Sequence, residues 1–212
     1  MAAPTRPRLR GVSHEVAAFV FPVMGLVAVV LARSAGAKAA VAVYAAGVTA
    51  MYATSAVYHR GNWAAPVKRR FRRLDHSMIL VGIASTYTPI MGVGVGGGTG
   101  RVVVAVAWGL AALGVAVRNL WLDAPAPLVA VVYIGVGWAA LAVMPELWSR
   151  AGVVTFLLVV AGGVVYSVGA AAFALRRPDP APAVFGYHEV FHALVLLAGL
   201  LFYVAVLRAT GR

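Results

Sequence analysis

The sequence contains no cysteine and few charged residues. Without thiols, disulfide bonds and thiolate metal sites are excluded, so any metal ion must be held by His, Asp, Glu or Ser side chains. Charged residues are 11% and hydrophobic residues 62% of the 212 residues, whereas an average globular domain has roughly 25% and 45–50%. So little polar surface cannot cover a water-soluble body of this size, and a soluble fold is excluded.

Acidic residues are also scarce. Six Asp and Glu stand against 18 Lys and Arg, which gives a net charge of +12. In a soluble protein this excess would suggest nucleic-acid binding, but here the basic residues lie in short gaps between apolar runs, where they act as topology signals. We therefore expect membrane lipids as partners, with a lipid as the candidate substrate, and no nucleic acid. The oligomeric state stays open.

Long apolar runs are what the sequence has in abundance. A membrane-spanning helix needs roughly 20 mainly apolar residues, and unalternating runs of this length favour helices over barrel strands. We predict an all-α, polytopic bundle of seven transmembrane helices, forming a single domain over residues 1–212 with a short basic cytoplasmic tail at residues 1–13. The predicted spans are 15–33, 38–58, 74–93, 101–121, 127–144, 152–175 and 187–207.

Two of the gaps between spans have unusual compositions. The stretch from Arg60 to Arg73 is strongly basic and is interpreted as a loop. The cluster from Gly92 to Gly100 is interpreted as a flexible outer loop, because it lacks the ending and context of a phosphate-binding loop. The fifth span is the shortest. Without it, the last two helices would each cross the membrane in the opposite direction.

Lys and Arg are distributed unequally between the two sides of the predicted bundle. The N-terminus and the loops after the second, fourth and sixth spans hold 12 of them, and the other side holds 6. Since the richer side is normally cytoplasmic, we predict a cytoplasmic N-terminus and an extracytoplasmic C-terminus.

Ionisable residues inside membrane spans are costly and are candidates for function. Here they cluster at the ends of four spans, and the alternation of the helices places all of them at the cytoplasmic face. They are His14 and Glu15 opening the first helix, His59 ending the second with the polar Ser55 one turn before it, Asp75 and His76 opening the third, and His188, Glu189 and His192 opening the seventh.

A metal site is predicted from three of these histidines. His188 and His192 are four residues apart, so they share a helix face with about 6 Å of rise between them. His59 supplies a third imidazole from the same membrane face. Three neutral nitrogens with an open fourth position describe a catalytic Zn²⁺ site, although other transition metals also fit.

Simpler roles stay open for the other polar residues. His14 and His76 have positions typical of interfacial histidines near helix ends. Asp75 is equally interpreted as a cap of the third helix that pairs with a neighbouring arginine. For Ser55, position alone favours a bond to a backbone carbonyl of its own helix.

The segment His188-Glu189-Val-Phe-His192 also fits the H-E-x-x-H pattern, in which two histidines bind zinc and the glutamate is the base of a metalloprotease. An intramembrane protease is therefore an alternative. Its usual partner, an aspartate followed by glycine in a later span, is missing, since Asp75 is followed by His76 and lies far upstream.

Three segments carry a resemblance to one known family. They are Ser55-Ala-Val-Tyr-His59, then Phe71-Arg-Arg-Leu-Asp75-His-Ser-Met continuing to Thr86-Tyr-Thr-Pro89, and Gly186-Tyr-His188-Glu-Val-Phe-His192. In this order, and over nearly the whole chain, the sequence resembles the bacterial hemolysin III proteins of the progestin and adipoQ receptor family. The wider superfamily includes the adiponectin receptors and the alkaline ceramidases.

The resemblance implies seven helices in the bacterial inner membrane with the N-terminus inside. It also implies a Zn²⁺ ion held by His59, His188 and His192, with Asp75 holding a water molecule at the metal and Ser55 near that water. Eukaryotic members resemble lipid amidases, whereas the bacterial members are named for haemolysis.

We therefore expect a zinc-dependent hydrolase of a lipid amide or related bond at the cytoplasmic leaflet. Asp75 would orient the water or accept its proton, and Ser55 would steady the oxyanion. One alternative is a non-enzymatic sensor, transporter or pore-forming protein in which zinc only ties helices together. The other is the H-E-x-x-H protease, with Glu189 as base.

Overall fold

The computed structural model describes residues 6–211, and this part of the chain is a bundle of seven long helices. Residues 1–5 of the predicted basic tail lie outside the described residues, as does residue 212. The helices are α1 (Val12–Leu31), α2 (Ala35–Arg60), α3 (Ala65–Val95), α4 (Gly97–Leu120), α5 (Ala126–Ala151), α6 (Val153–Leu175) and α7 (Tyr187–Thr210). Within residues 6–211 there is no strand, so the predicted all-α, seven-helix fold is confirmed.

The outside of the bundle is apolar, as a lipid-facing surface must be. Phe19 is 77% exposed and Leu120 is 89% exposed, which would be unfavourable in water at roughly 25 cal/mol per Å². Inside the bundle, small residues allow helices to approach closely. A Cβ atom added at Gly25 of α1 would lie only 2.5 Å from Cβ of Ala45 in α2.

Helix α3 begins earlier than the sequence predicts. The predicted loop from Arg60 to Arg73 is wrong, because only residues 61–64 separate α2 from α3. Pro66 lies in the first turn, where a missing N–H costs little. Lys and Arg are good helix formers whose long side chains reach water from a helix end. The basic residues therefore extend α3.

The predicted flexible outer loop is also wrong. Helix α3 finishes as a wider π-helical turn that reaches Val95, and α4 begins at Gly97, which leaves only Gly96 between the two helices. Gly96 and Gly97 have φ angles of +64° and +62°, in the left-handed region that favours glycine. The glycines make a tight turn between two helices.

Gly100 tests this close packing. A Cβ atom at Gly100 would lie 2.3 Å from the backbone oxygen of Met91, so we expect Gly100→Ala to lower stability by roughly 1–3 kcal/mol through overpacking. Gly98→Ala is the matched control, because an added Cβ there meets nothing within 4 Å. Thermal unfolding in detergent micelles measures both variants, and equal midpoints would contradict the packing.

Helix α5 is the least regular span, yet it crosses the bundle. Its α-helical part ends at Gly137, and short 3₁₀ and π-helical turns carry it to Ala151. The Tyr87 hydroxyl donates to the Gly137 oxygen at 2.7 Å and accepts from the Ala140 N–H at 3.3 Å. Backbone groups freed inside a membrane need such partners. The fifth span is therefore present. Helices α6 and α7 then keep the directions that place His188 and His192 at the same end of the bundle as His59.

The orientation in the membrane remains a prediction. The N–H of Arg33 donates to the oxygen of Thr210 at 3.2 Å, so the first loop and the C-terminus share one end of the bundle. We expect a C-terminal alkaline phosphatase fusion to be active and a C-terminal green fluorescent protein fusion to be dark in bacterial cells. Fusions at the loop after α4 serve as the control and should behave oppositely. A fluorescent C-terminal fusion would contradict the orientation.

Candidate metal centre

Three histidines from α2 and α7 meet at one end of the bundle. His59 lies in the last turn of α2, while His188 and His192 occupy successive turns at the start of α7. One ring nitrogen of each lies within 4.8 Å of those of the other two. The Nε2 atoms of His59 and His188 are 3.2 Å apart. We call these three residues the histidine triad.

The spacing and chemistry of the triad fit a transition-metal ion. Two nitrogens bound to one tetrahedral Zn²⁺ at about 2.0–2.1 Å lie roughly 3.3 Å apart, close to the 3.2 Å observed between His59 and His188. The Nδ1 atom of His192 is buried and has no hydrogen-bond partner among residues 6–211. Few competing bonds therefore hold these imidazoles, which leaves them able to act as ligands.

Asp75 lies beside the triad on α3. Its Oδ2 atom is 3.7 Å from Nε2 of His59, and the carboxylate is buried. The interpretation of Asp75 as a helix cap is wrong, since it lies about three turns into α3. The neighbouring Arg72 pairs with Asp123 at 2.8 Å instead. The carboxylate therefore faces the histidines without a basic residue neutralising it within residues 6–211.

Ser55 also adjoins the triad, one turn before His59 on α2. Its Oγ atom lies 2.8 Å from Nδ1 of His14, and no bond to a carbonyl of α2 occurs in the described part of the chain. His14 is only 4% exposed, and its ring stacks on His192 with the centroids 3.9 Å apart. The interpretation of His14 as an interfacial residue is therefore wrong, because α1 delivers it into the site.

Glu189, between the two α7 histidines in sequence, has a different role from theirs. Its Oε1 atom pairs with Arg10, and its Oε2 atom accepts from the N–H of Gly186 at 2.9 Å. The N–H of Arg8 donates to the oxygen of Ala183 at 3.1 Å. Glu189 thus fastens the segment before α1 to the start of α7, which the sequence reasoning missed.

His76 lies apart from the triad and bonds an arginine. The Nε–H of Arg118, near the end of α4, donates to Nδ1 of His76 at 3.1 Å. Arg118 is buried, and no carboxylate of residues 6–211 lies within 4.0 Å of it. The sequence reasoning counted Arg118 only as a loop charge, because its place at a helix end gives no sign of burial.

A cavity of about 310 Å³ adjoins the site, within the usual range for small-molecule sites. Ser55, Asp75 and His192 line its polar side. A second, smaller and mainly apolar cavity shares five wall residues with it. These shared residues are Met51, Ile79, Tyr133, Tyr166 and Val195. The space beside the histidines thus lies next to a mainly apolar cavity, an arrangement that suits an amphiphilic ligand.

Comparisons with known proteins give a consistent result. A family model described as haemolysin-III related matches residues 2–203. Hemolysin-3 from Bacillus cereus is 29% identical over 174 residues, which cover 82% of this chain and 76% of that protein. The Hemolysin-3 homolog of Bacillus subtilis (strain 168) is 28% identical over 123 residues, or 58% of this chain and 55% of that protein. The family match includes every residue of the site.

Proposed function

Because the chain belongs to the haemolysin-III related family, we propose that this multi-pass membrane protein is a zinc-dependent hydrolase of a lipid amide or a related bond, acting at the cytoplasmic leaflet. One observation carries the proposal. A buried carboxylate, Asp75, lies 3.7 Å from His59 of the triad and lines a cavity of about 310 Å³. Ligands for a metal, a proton acceptor and room for a substrate therefore adjoin one another.

His59, His188 and His192 would hold the ion. When bound, zinc supplies a Lewis acid and lowers the pKa of a coordinated water molecule to about 7. Three protein ligands are typical of catalytic zinc sites, whereas structural sites use four. An all-imidazole set also suits Zn²⁺ among the divalent metals.

Asp75 and Ser55 would carry the proton and charge steps. As water attacks the carbonyl carbon, Oδ2 of Asp75 accepts the water proton and then gives it to the leaving nitrogen as the C–N bond breaks. The hydroxyl of Ser55 donates to the carbonyl oxygen as negative charge develops there. Burial strengthens both interactions, because the surroundings have a low dielectric constant.

The H-E-x-x-H protease is less well supported. A general base must reach the water that it deprotonates, but both carboxylate oxygens of Glu189 are engaged, one by Arg10 and one by the N–H of Gly186. A non-enzymatic, membrane-permeabilising protein is the second candidate. The names of the two relatives, Hemolysin-3 and its homolog, favour it.

The two candidates give opposite results in one experiment. The zinc-loaded protein in lipid nanodiscs is incubated with a ceramide, an N-acyl ethanolamine and an N-acyl amino acid. We expect equal amounts of fatty acid and amine from at least one of them, detected by mass spectrometry, lost with a chelator and restored by zinc. The same protein is added to dye-loaded vesicles. Leakage without hydrolysis of any amide would favour the permeabilising protein and contradict the hydrolase.

A further inference from the structure

A fourth histidine, His14 of α1, lies outside the triad but contacts two residues of the site. Its Nδ1 atom is 2.8 Å from Oγ of Ser55, and its ring lies parallel to that of His192, with 3.9 Å between centroids and 7° between planes. We propose that His14 is a positioning residue that orients the Ser55 hydroxyl and holds the ring of His192. The inference rests on the proposed function for the meaning of Ser55.

The burial of His14 indicates that the polar atoms of its imidazole do more than fill space in the core. The side chain is buried, and its Nε2 atom has no hydrogen-bond partner within residues 6–211. An unsatisfied buried polar atom costs free energy, so a position that only filled space would favour leucine or phenylalanine. Among the described residues, the side-chain hydrogen bond that the ring makes is with Ser55, and this contact gives the imidazole a role beyond filling space.

The contacts of the ring also indicate its tautomer. A buried N–H without an acceptor is the rarer and costlier kind of unsatisfied group, so Nε2 is assigned as the nitrogen without a proton. Nδ1–H then donates to Oγ of Ser55. Ser55 then keeps its own hydroxyl hydrogen as a donor toward the cavity, where the Asp75 carboxylate is a neighbouring acceptor. The carbonyl oxygen of a bound substrate would accept this hydrogen in place of Asp75.

The stack on His192 has a separate effect. Ligand imidazoles need neighbours that fix their ring orientation, and His14 covers one face of His192. Gly11, the residue before α1, also packs closely against α2, because a Cβ atom there would lie 2.6 Å from Cβ of His59. Helix α1 thereby braces α2 and α7, although it supplies no residue to the triad.

Two substitutions separate the two contacts. His14→Phe keeps an aromatic ring against His192 but cannot bond Ser55. His14→Asn places a side-chain amide near the Nδ1 position, where it can donate to Ser55, but removes the ring. Each is combined with Ser55→Ala. His76→Phe is the matched control, because it changes a histidine outside these contacts.

Hydrolysis reports on the bond to Ser55. We expect His14→Phe to lower kcat about 10–100-fold with little change in KM, as for loss of an oriented oxyanion donor. His14→Asn should recover most of this loss. Adding Ser55→Ala to His14→Phe should cause no further loss, since coupled residues are not additive. The losses from His76→Phe and Ser55→Ala should multiply. If the losses from His14→Phe and Ser55→Ala multiply in the double variant, His14 does not act through Ser55. The same conclusion follows if His14→Asn recovers none of the hydrolysis.

Cobalt binding reports on the stack and does not depend on activity. Co²⁺ bound to the triad has a visible absorption spectrum, and titration gives its affinity. We expect His14→Asn to weaken Co²⁺ binding about 10-fold, in the range for lost support of a ligand. His14→Phe should keep the parent affinity and band positions. Unchanged affinity in His14→Asn would overturn the stacking role, even if His14→Phe failed to fold.

The outcomes distinguish this inference from the proposed function. If the parent binds cobalt but hydrolyses no lipid amide, the proposed function falls, and cobalt affinity alone decides the stacking role of His14. If the parent hydrolyses an amide and the His14 variants behave like the parent, only the inference falls. A parent that binds no cobalt contradicts both.

Discussion

Replacing both α7 histidines, in His188→Ala/His192→Ala, is expected to abolish metal binding by the purified protein. The parent should carry about one zinc ion per chain, and the variant less than about a tenth of that. The reason is that the double substitution leaves His59 as the one imidazole of the triad, too few ligands for a zinc site. Metal analysis by mass spectrometry after dialysis measures the difference.

Thermal unfolding gives a second measure of the same loss. An ion that binds only the folded protein stabilises it by about 4.1 kcal/mol at a concentration 1,000 times its Kd. Added zinc should therefore raise the unfolding temperature of the parent and leave that of the double variant unchanged. His76→Ala is the matched control and should keep its zinc, because His76 bonds Arg118 and lies outside the triad. Zinc retained by the double variant would contradict the site.

The helix count and the triad could be predicted because each rests on a strong local regularity. Apolar runs of spanning length leave little choice of element. The spacing of His188 and His192 fixes their shared face. Alternation of helix direction then places His59 and Asp75 at the same end, whatever the detailed packing. The sequence therefore predicts a site when the site depends only on which helix ends its residues occupy.

The contacts of His14 could not be predicted in this way. In a water-soluble helix the polar face identifies the exposed side. Here both the lipid-facing and the inward-facing sides are apolar, so the rotation of α1 about its axis is not encoded in a hydropathy pattern. The pairing of Arg10 with Glu189 was missed for a related reason, since 179 residues separate the two in the chain.

The errors at the helix ends have a different cause. Basic residues and glycines both usually mark loops, and the sequence reasoning assigned the segments around Lys68 and Gly96 accordingly. Long basic side chains reach water from an extended helix. Gly96, with φ of +64°, confines the whole turn to one residue. Residue type alone does not separate these cases from true loops, because the outcome depends on how neighbouring helices pack.

Asp75→Asn is expected to separate metal binding from hydrolysis. The variant should keep about one zinc ion per chain, because the triad is intact and asparagine fills the same space. Hydrolysis of the lipid amide should fall about 10²–10⁴-fold, the usual contribution of a general acid–base group, since an amide cannot accept the proton of water. Zinc content and kcat measured on one preparation test both parts.

Glu189→Gln is the matched control, since it makes the same change from acid to amide one residue after a proposed ligand. Glutamine can still accept from the N–H of Gly186 but loses the charge that pairs with Arg10. We expect hydrolysis by the folded variant close to that of the parent, with stability lower by roughly 1–3 kcal/mol from the unpaired arginine. Loss of hydrolysis in Glu189→Gln but not in Asp75→Asn would reverse the assignment and make Glu189 the base, as in the H-E-x-x-H protease.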